Sequence, residues 1–231
     1  MLTGPQNLLL RVNEVRSRIA RAATSAGRDP ASVTLIAVSK TKPAEDVRSA
    51  AAAGVTDFGE NYVKEALAKM DELASLPLTW HFIGQIQANK TRLIAERFGW
   101  VHGIDRPGIA RRLSEQRPHH APPLNACIQV ALVAEPTKAG VEPAALAGLA
   151  REVAALPRLK LRGLMCLPPP RSEVHEQRAL FAELRRLLEA LQEEGLALDT
   201  LSMGMSDDFE AAIAEGATQV RIGTAIFGQR T

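Results

Sequence analysis

The chain has 231 residues, of which 46% are hydrophobic and 23% charged, a composition that excludes a disordered or fibrous protein. The 28 basic and 26 acidic side chains are interspersed and leave a net charge of +2, so we expect no nucleic-acid partner. The apolar stretches are too short to span a bilayer and the first residues do not resemble a signal peptide, which predicts a cytoplasmic protein without a membrane partner.

The first predicted elements are an amphipathic helix and a buried strand. The helix covers residues 6–26 and ends at Gly27, and its apolar face is predicted to consist of Leu9, Val12, Val15 and Ile19. Residues 33–39 are apolar almost throughout, which is typical of a parallel strand covered on both faces. This strand ends at Lys40.

Strands and helices then alternate along the rest of the chain. Further strands are predicted over residues 57–59, 80–83, 100–104, 124–133, 160–165, 200–202 and 219–222, and further helices over residues 47–53, 62–73, 90–98, 108–116, 143–156, 173–194 and 208–214. Division of 231 residues among eight units gives about 29 residues per unit, which is typical of a (β/α)8 barrel. We therefore predict one barrel domain over residues 1–231, with an open doubly wound sheet as the alternative.

Polar side chains follow the predicted strands at the end where barrels carry their active sites. Lys40 follows the first strand, and a lysine at this position either extends into water or is partly desolvated, which makes it a nucleophilic amine suited to a Schiff base. Periodicity alone favours the lysine in water.

The last two strands are followed by groups suited to a phosphate. Ser202 and Ser206 lie on one side, and Arg221, Gly223 and Thr224 on the other, where barrels commonly bind phosphate through hydroxyl and backbone N–H groups. Taken alone, residues 206–208 are better explained as a helix N-cap. A lysine opposite a phosphate site nevertheless indicates pyridoxal 5′-phosphate (PLP).

Other polar residues have structural explanations. Asn61 is suited to cap the helix after it and equally to contact the pyridoxal 3-hydroxyl. His81, on an apolar strand, is expected to be a hydrogen-bonded core histidine, and we predict no metal site. Cys127 and Cys166 are expected to be reduced core thiols.

Five segments together carry a family resemblance across nearly the whole chain. They are IAVSKTKP (36–43), FGENYV (58–63), HFIGQIQANK (81–90), LSMGMSDD (201–208) and VRIGTAIFG (220–228). The sequence closely resembles the pyridoxal phosphate homeostasis proteins, also called the proline synthase co-transcribed family.

The resemblance implies a fold-type III barrel like the N-terminal domain of alanine racemase, with PLP bound as an aldimine on Lys40. It also implies Arg221 near the pyridine nitrogen, Asn61 near the ring, and Ser202 or Ser206 with Gly223 and Thr224 around the phosphate. Family members have no established turnover and are thought to hold and deliver PLP, which suggests PLP-dependent apoenzymes as partners. We expect a monomer or weak dimer.

The sequence departs from the family pattern at two places. Gln85 replaces a usual proline after the third strand, and Ala139 replaces a common serine in the loop 135–140, where Lys138 is either a second amine near the site or a solvated lysine.

Two other functions compete with a PLP carrier. The first is a PLP-dependent amino-acid racemase. Alanine-racemase-like enzymes add a second domain that supplies a catalytic tyrosine. Here Tyr62 is the only tyrosine, and the chain ends just after the last strand. A two-base mechanism would then need His81 or Lys138 as its second base. A barrel enzyme acting on a phosphorylated sugar would use the phosphate groups but leave Lys40 without an aldehyde.

Overall fold

The computed structural model describes residues 4–133 and 139–229 of the chain. Its eight strands are β1 (Thr34–Val38), β2 (Asp57–Glu60), β3 (Thr79–Phe82), β4 (Trp100–Ile104), β5 (Leu124–Gln129), β6 (Leu159–Met165), β7 (Thr200–Ser202) and β8 (Gln219–Ile222). All neighbouring strands are parallel, and β8 pairs with β1. The sheet is therefore a closed barrel, which confirms the predicted fold and excludes the open sheet.

The helices surround this barrel. Among the described residues they are α1 (Gly4–Ser25), α2 (Ala44–Ala52), α3 (Val63–Glu72), α4 (Thr91–Arg97), α5 (Pro107–Gln116), α6 (Pro143–Ala154), α7 (Val174–Glu193), α8 (Phe209–Ala214) and α9 (Thr224–Phe227). Alternate strand residues such as Ala37, Phe58 and Val101 face this helical layer and are fully buried. The main apolar core therefore lies between the barrel and its helices.

Helix α1 precedes β1, as predicted, and packs on α2, α8 and α9. Its buried face includes Leu8 rather than Leu9, which is 45% exposed, because Leu8 continues the helical spacing of Val12, Val15 and Ile19. Gly27 ends the helix with a φ of 69°, and the next residue, Arg28, donates its N–H to the Ala23 carbonyl at 2.9 Å. The predicted glycine cap is confirmed, since this left-handed conformation favours glycine.

The largest differences between the predicted elements and the structure occur at three places. Strand β5 ends at Gln129 rather than at residue 133, and Val130 forms only an isolated bridge with Val141. Helix α2 begins at Ala44, after Pro43. Helix α9 was not predicted, because its four residues are too few for a recognisable periodicity.

Candidate functional site

A cleft of about 290 Å³ opens at the carboxyl ends of the strands. It is lined by Val38, Lys40, Thr41, Lys42, Asn61, Ile83, Leu167, Met205, Ser206, Asp207, Arg221, Gly223, Thr224, Phe227 and Gly228. Six of the seven predicted cofactor-binding residues border this cleft, and Ser202 is the one that does not. From the predicted residues, the cleft therefore brings together an amine, two hydroxyl groups, an amide and a guanidinium.

Lys40 is half-buried at a sharp turn after β1. The N–H of Lys42 donates to the Ser39 carbonyl at 3.0 Å and closes the turn. Thr41 has a φ of 63°, and its N–H donates to Glu65 Oε1 at 2.6 Å. Helix α3, which carries Glu65, thus fixes the backbone on the C-terminal side of Lys40.

A buried ion cluster lies beneath this turn. Lys69 Nζ donates to Glu60 Oε1 at 2.7 Å, to Glu65 Oε1 at 2.6 Å and to the Ser39 carbonyl at 2.6 Å. Glu60 also accepts from the Ser39 hydroxyl at 2.6 Å. Burial raises the pKa of Glu60 and outweighs the opposite effect of Lys69. The cluster ties both sides of Lys40 to α3, and composition and spacing did not reveal it.

Asn61 borders the cleft opposite the last strands. Its Oδ1 is buried, with no hydrogen-bond partner among the described residues. The N-cap of α3 is Tyr62, without a side-chain cap bond, so the expectation that Asn61 caps this helix is wrong. A buried amide oxygen without a partner at the wall of a cleft is suited to a ligand donor.

Two hydroxyl groups meet at the other end of the cleft. Thr224 Oγ1 donates to Ser206 Oγ at 3.1 Å, and the N–H of Ala225 donates to the same oxygen at 3.4 Å. Ser206 thus contacts the first turn of α9 and does not cap α8, whose N-cap is Asp208. A Cβ on Gly204 would lie 2.7 Å from Ala212 Cβ, so glycine allows the segment before Ser206 to pack closely on α8.

Arg221 lies at the floor of the cleft and is 3% exposed. Its Nη1 donates to Ser202 Oγ at 2.7 Å and its Nη2 to the Cys166 carbonyl at 2.8 Å. Burial lowers the pKa of Arg221. Ser202 is fully buried beneath this guanidinium and also contacts His102.

The histidine and cysteine predictions fit the described core. His81 is fully buried and hydrogen-bonded to Asp57 and His102, as expected for a core histidine. Cys127 and Cys166 are buried free thiols, and burial raises the pKa of each to about 12.

The remaining sequence candidates lie away from the cleft or outside the described residues. Gln85 is exposed and borders a neighbouring hollow with Asn61 and Tyr62. Lys138 lies outside the described residues. Within residues 4–133 and 139–229 there is no cluster of three metal-ligating side chains, and no helix is long and apolar enough to cross a membrane.

Comparison with known proteins identifies the family. The sequence profile of the alanine racemase N-terminal domain matches residues 10–231. A pyridoxal phosphate homeostasis protein from Pseudomonas aeruginosa is 62% identical over 219 residues, which are 95% of this chain and 94% of the relative.

Two solved structures extend the comparison. PipY from Synechococcus elongatus, solved with PLP bound, is 41% identical with a TM-score of 0.85, over 96% of this chain and 100% of PipY. Alanine racemase from Corynebacterium glutamicum is 19% identical with a TM-score of 0.72, over 98% of this chain and 62% of the enzyme, and shares the fold alone. With an alanine-racemase-type barrel and 62% identity to a curated relative, the chain belongs to the pyridoxal phosphate homeostasis protein family.

Proposed function

We propose that the chain binds PLP in the cleft and serves to hold and supply this cofactor, without enzymatic turnover. The observation that carries the proposal is the convergence of Lys40, Arg221 and the Ser206–Thr224 hydroxyl pair on one cleft of about 290 Å³. This volume is close to the lower end of the range for small-molecule sites, about 300–1,000 Å³. The Pseudomonas relative is named a pyridoxal phosphate homeostasis protein, and PipY was solved with PLP bound; both support the same cofactor.

The described side chains fit the functional groups of PLP. The hydroxyls of Ser206 and Thr224, with the backbone at Gly223, are suited to the phosphate. The unpartnered amide oxygen of Asn61 is suited to the ring hydroxyl, which donates a hydrogen bond. Because Ser202 is enclosed beneath Arg221, we assign the phosphate contact to Ser206 rather than to Ser202.

Lys40 is the amine that we assign to covalent attachment. Its nitrogen would attack the aldehyde carbon of PLP, the carbonyl oxygen would leave as water, and a carbon–nitrogen double bond would remain. The turn held by Glu65 and Lys69 limits the conformations of this lysine and keeps it at the cleft.

Arg221 is assigned to the pyridine nitrogen. A guanidinium can only donate a hydrogen bond, so it disfavours a protonated ring nitrogen. PLP supplies an electron sink for amino-acid carbanions, and this sink is weaker when the ring nitrogen is unprotonated. Arg221 thus favours binding over chemistry at the α-carbon.

Removal of the two hydroxyls is expected to weaken binding of PLP selectively. The Ser206→Ala/Thr224→Val double variant loses two hydrogen bonds to a charged phosphate, each worth about 1.5–3 kcal/mol, so PLP affinity should fall at least about a hundredfold. Affinity for pyridoxal, which lacks the phosphate, should change little. Fluorescence titration of the four combinations of protein and ligand measures both effects.

Ser25→Ala, at the end of α1, is the matched control for this variant. It should bind both ligands as the unmodified protein does. Equal losses for PLP and pyridoxal in the double variant would contradict the phosphate assignment.

Racemase activity is the second candidate, because the family profile is named after a racemase domain. The described lining of the cleft contains no tyrosine or histidine. Tyr62 is 56% exposed, and both ring nitrogens of His81 are engaged inside the barrel. These positions disfavour a two-base mechanism.

Incubation with L-alanine in deuterated water distinguishes the two functions. We expect negligible exchange of the α-proton and negligible D-alanine, measured by NMR and chiral chromatography with alanine racemase as a positive control. Turnover of about 1 s⁻¹ or more, lost in Lys40→Ala, would establish a racemase and overturn the carrier proposal.

We also propose the partners, oligomeric state and location of the protein. We expect PLP-dependent apoenzymes to receive the cofactor, the protein to be a monomer or weak dimer in the cytoplasm, and residues 1–231 to act as one domain.

A further inference from the structure

A continuous line of hydrogen bonds crosses the barrel interior from Asp57 to Arg221. Asp57 Oδ1 is 2.9 Å from His81 Nε2, and His81 Nδ1 is 3.0 Å from His102 Nε2. His102 Nδ1 is 2.8 Å from Ser202 Oγ, which accepts from Arg221 Nη1 at 2.7 Å. Arg221 borders the cleft, whereas Asp57 borders a separate hollow beside the amino end of β1.

The two charged ends impose one direction on these bonds. The guanidinium of Arg221 can only donate, so Ser202 accepts from it and keeps its own proton available for His102 Nδ1. The carboxylate of Asp57 can only accept, so the proton of His81 lies on Nε2. For a neutral His81, Nδ1 is then the acceptor for His102 Nε2–H, which makes His102 an Nε2–H tautomer as well.

The surroundings support two neutral histidines between charged ends. Burial lowers the pKa of His81, and burial together with the positive charge of Arg221 lowers the pKa of His102 well below its usual value. Burial alone raises the pKa of Asp57, but hydrogen bonds from His81 and Thr56 outweigh it and lower the pKa.

The side chains around the two histidines do not change the direction of these hydrogen bonds. Trp100 stacks on His81 with ring centroids 5.5 Å apart. Arg162, which lies over Trp100, is paired with Asp199 at 2.7 Å. The thiol of Cys127 is neutral at physiological pH, because burial raises its pKa to about 12.

We propose that Asp57, His81 and His102 are positioning residues that act through Ser202 to hold Arg221 in one orientation at the cleft. The ordered chain keeps a lone pair of Ser202 directed at the guanidinium and prevents the hydroxyl from donating in that direction. The link from Arg221 to bound PLP rests on the proposed function, whereas the order of the chain itself does not.

The tautomers are measurable without any ligand. In protein labelled with ¹⁵N-histidine, long-range proton–nitrogen correlation should show His81 and His102 as neutral Nε2–H forms at neutral pH. Their signals are assigned by their disappearance in His81→Gln and His102→Gln. A protonated ring or an Nδ1–H tautomer at either position would overturn the proposal.

A matched pair of variants at His102 tests the effect on the cleft. Glutamine supplies one donor and one acceptor about as far apart as the imidazole nitrogens, whereas methionine fills the volume and supplies no donor. His102→Met should weaken PLP affinity about five- to tenfold and shift the visible absorption band of bound PLP, and His102→Gln should retain both properties.

The results of these experiments distinguish a positioning role of His102 from a role in packing alone, and they test this proposal separately from the proposed function. Equal losses in both variants, in proportion to their thermal stability, would mean that His102 only fills space. If unmodified protein does not bind PLP, the proposed function fails, and the tautomer measurement still decides whether the chain is ordered. If His102→Met does not fold, Asp57→Asn replaces it: the shape is kept, the anion is lost, and a mixture of His81 tautomers with a shifted PLP band is expected.

Discussion

Replacement of Lys40 by alanine is expected to abolish covalent attachment of PLP. The variant keeps the phosphate and ring contacts, so weaker noncovalent binding should persist, but no amine is held at the aldehyde. Borohydride reduction followed by digestion and mass spectrometry should find a pyridoxyl group on Lys40 of the unmodified protein and none at the corresponding position of the variant. The absorption band of the carbon–nitrogen double bond should be replaced by that of the free aldehyde at the same time.

Lys42→Ala is the matched control, because Lys42 borders the same cleft two residues away. Its ammonium donates to the Gln229 carbonyl at 3.3 Å, so its removal should leave attachment at Lys40 intact. Pyridoxyl groups found mainly on Lys42 or Lys138 of the unmodified protein would refute the assignment.

Replacement of Lys69 by methionine should strongly destabilise the fold. The variant leaves Glu60, whose side chain is fully buried, without its cationic partner. Loss of one partner of a buried ion pair costs about 3–5 kcal/mol in the free energy of unfolding. In a chain of this length, each kcal/mol lowers Tm by about 2–4 °C, so calorimetry should detect the change clearly.

The destabilisation by Lys69→Met should depend on pH with a definite sign. The pKa of Glu60 is raised in the folded protein, and loss of Lys69 raises it further. The folded variant then binds a proton that the unfolded chain releases, so its stability falls as pH rises from the ordinary glutamate pKa to the raised one. The deficit relative to the unmodified protein should be smaller at pH 5 than at pH 8.

Lys64→Met, on the exposed face of the same helix, is the control for this measurement. It should change stability by about 0.5 kcal/mol or less. A similar effect of the two substitutions, or a deficit that does not change with pH, would show that the Glu60 charge does not depend on Lys69.

The barrel was predictable because its strands are apolar runs separated by amphipathic helices. Strand β4 and the last two strands have the predicted bounds. The carboxyl ends of parallel strands share one face, so the sequence alone predicts that Lys40 and the loops near Ser206 and Thr224 meet. Strand β5 was predicted too long, because the apolar side chains after Gln129 continue its pattern while the ladder ends.

The contacts within the site were less predictable. Ser202 and Ser206 are both serines at or just after β7, so the sequence does not distinguish them. The pleat of β7 directs Ser202 inward, and the loop after β7 brings Ser206 to the cleft. Lys69 looks like an ordinary helix lysine in sequence. Its burial arises from the packing of α3 on the turn after β1, a tertiary contact for which local spacing provides no signal.

The backbone conformation of Thr41 lowers the stability of the fold but helps to fix the position of Lys40. A β-branched residue at a φ of 63° is strained, at a cost on the order of 1–3 kcal/mol. The hydrogen bond from the Thr41 N–H to Glu65 offsets this cost, and Glu65 is in turn bonded to Lys69 in the buried cluster. A glycine would relieve the strain but would also free the backbone beside Lys40. Selection for a rigid lysine and selection for maximal stability therefore favour different residues at this position.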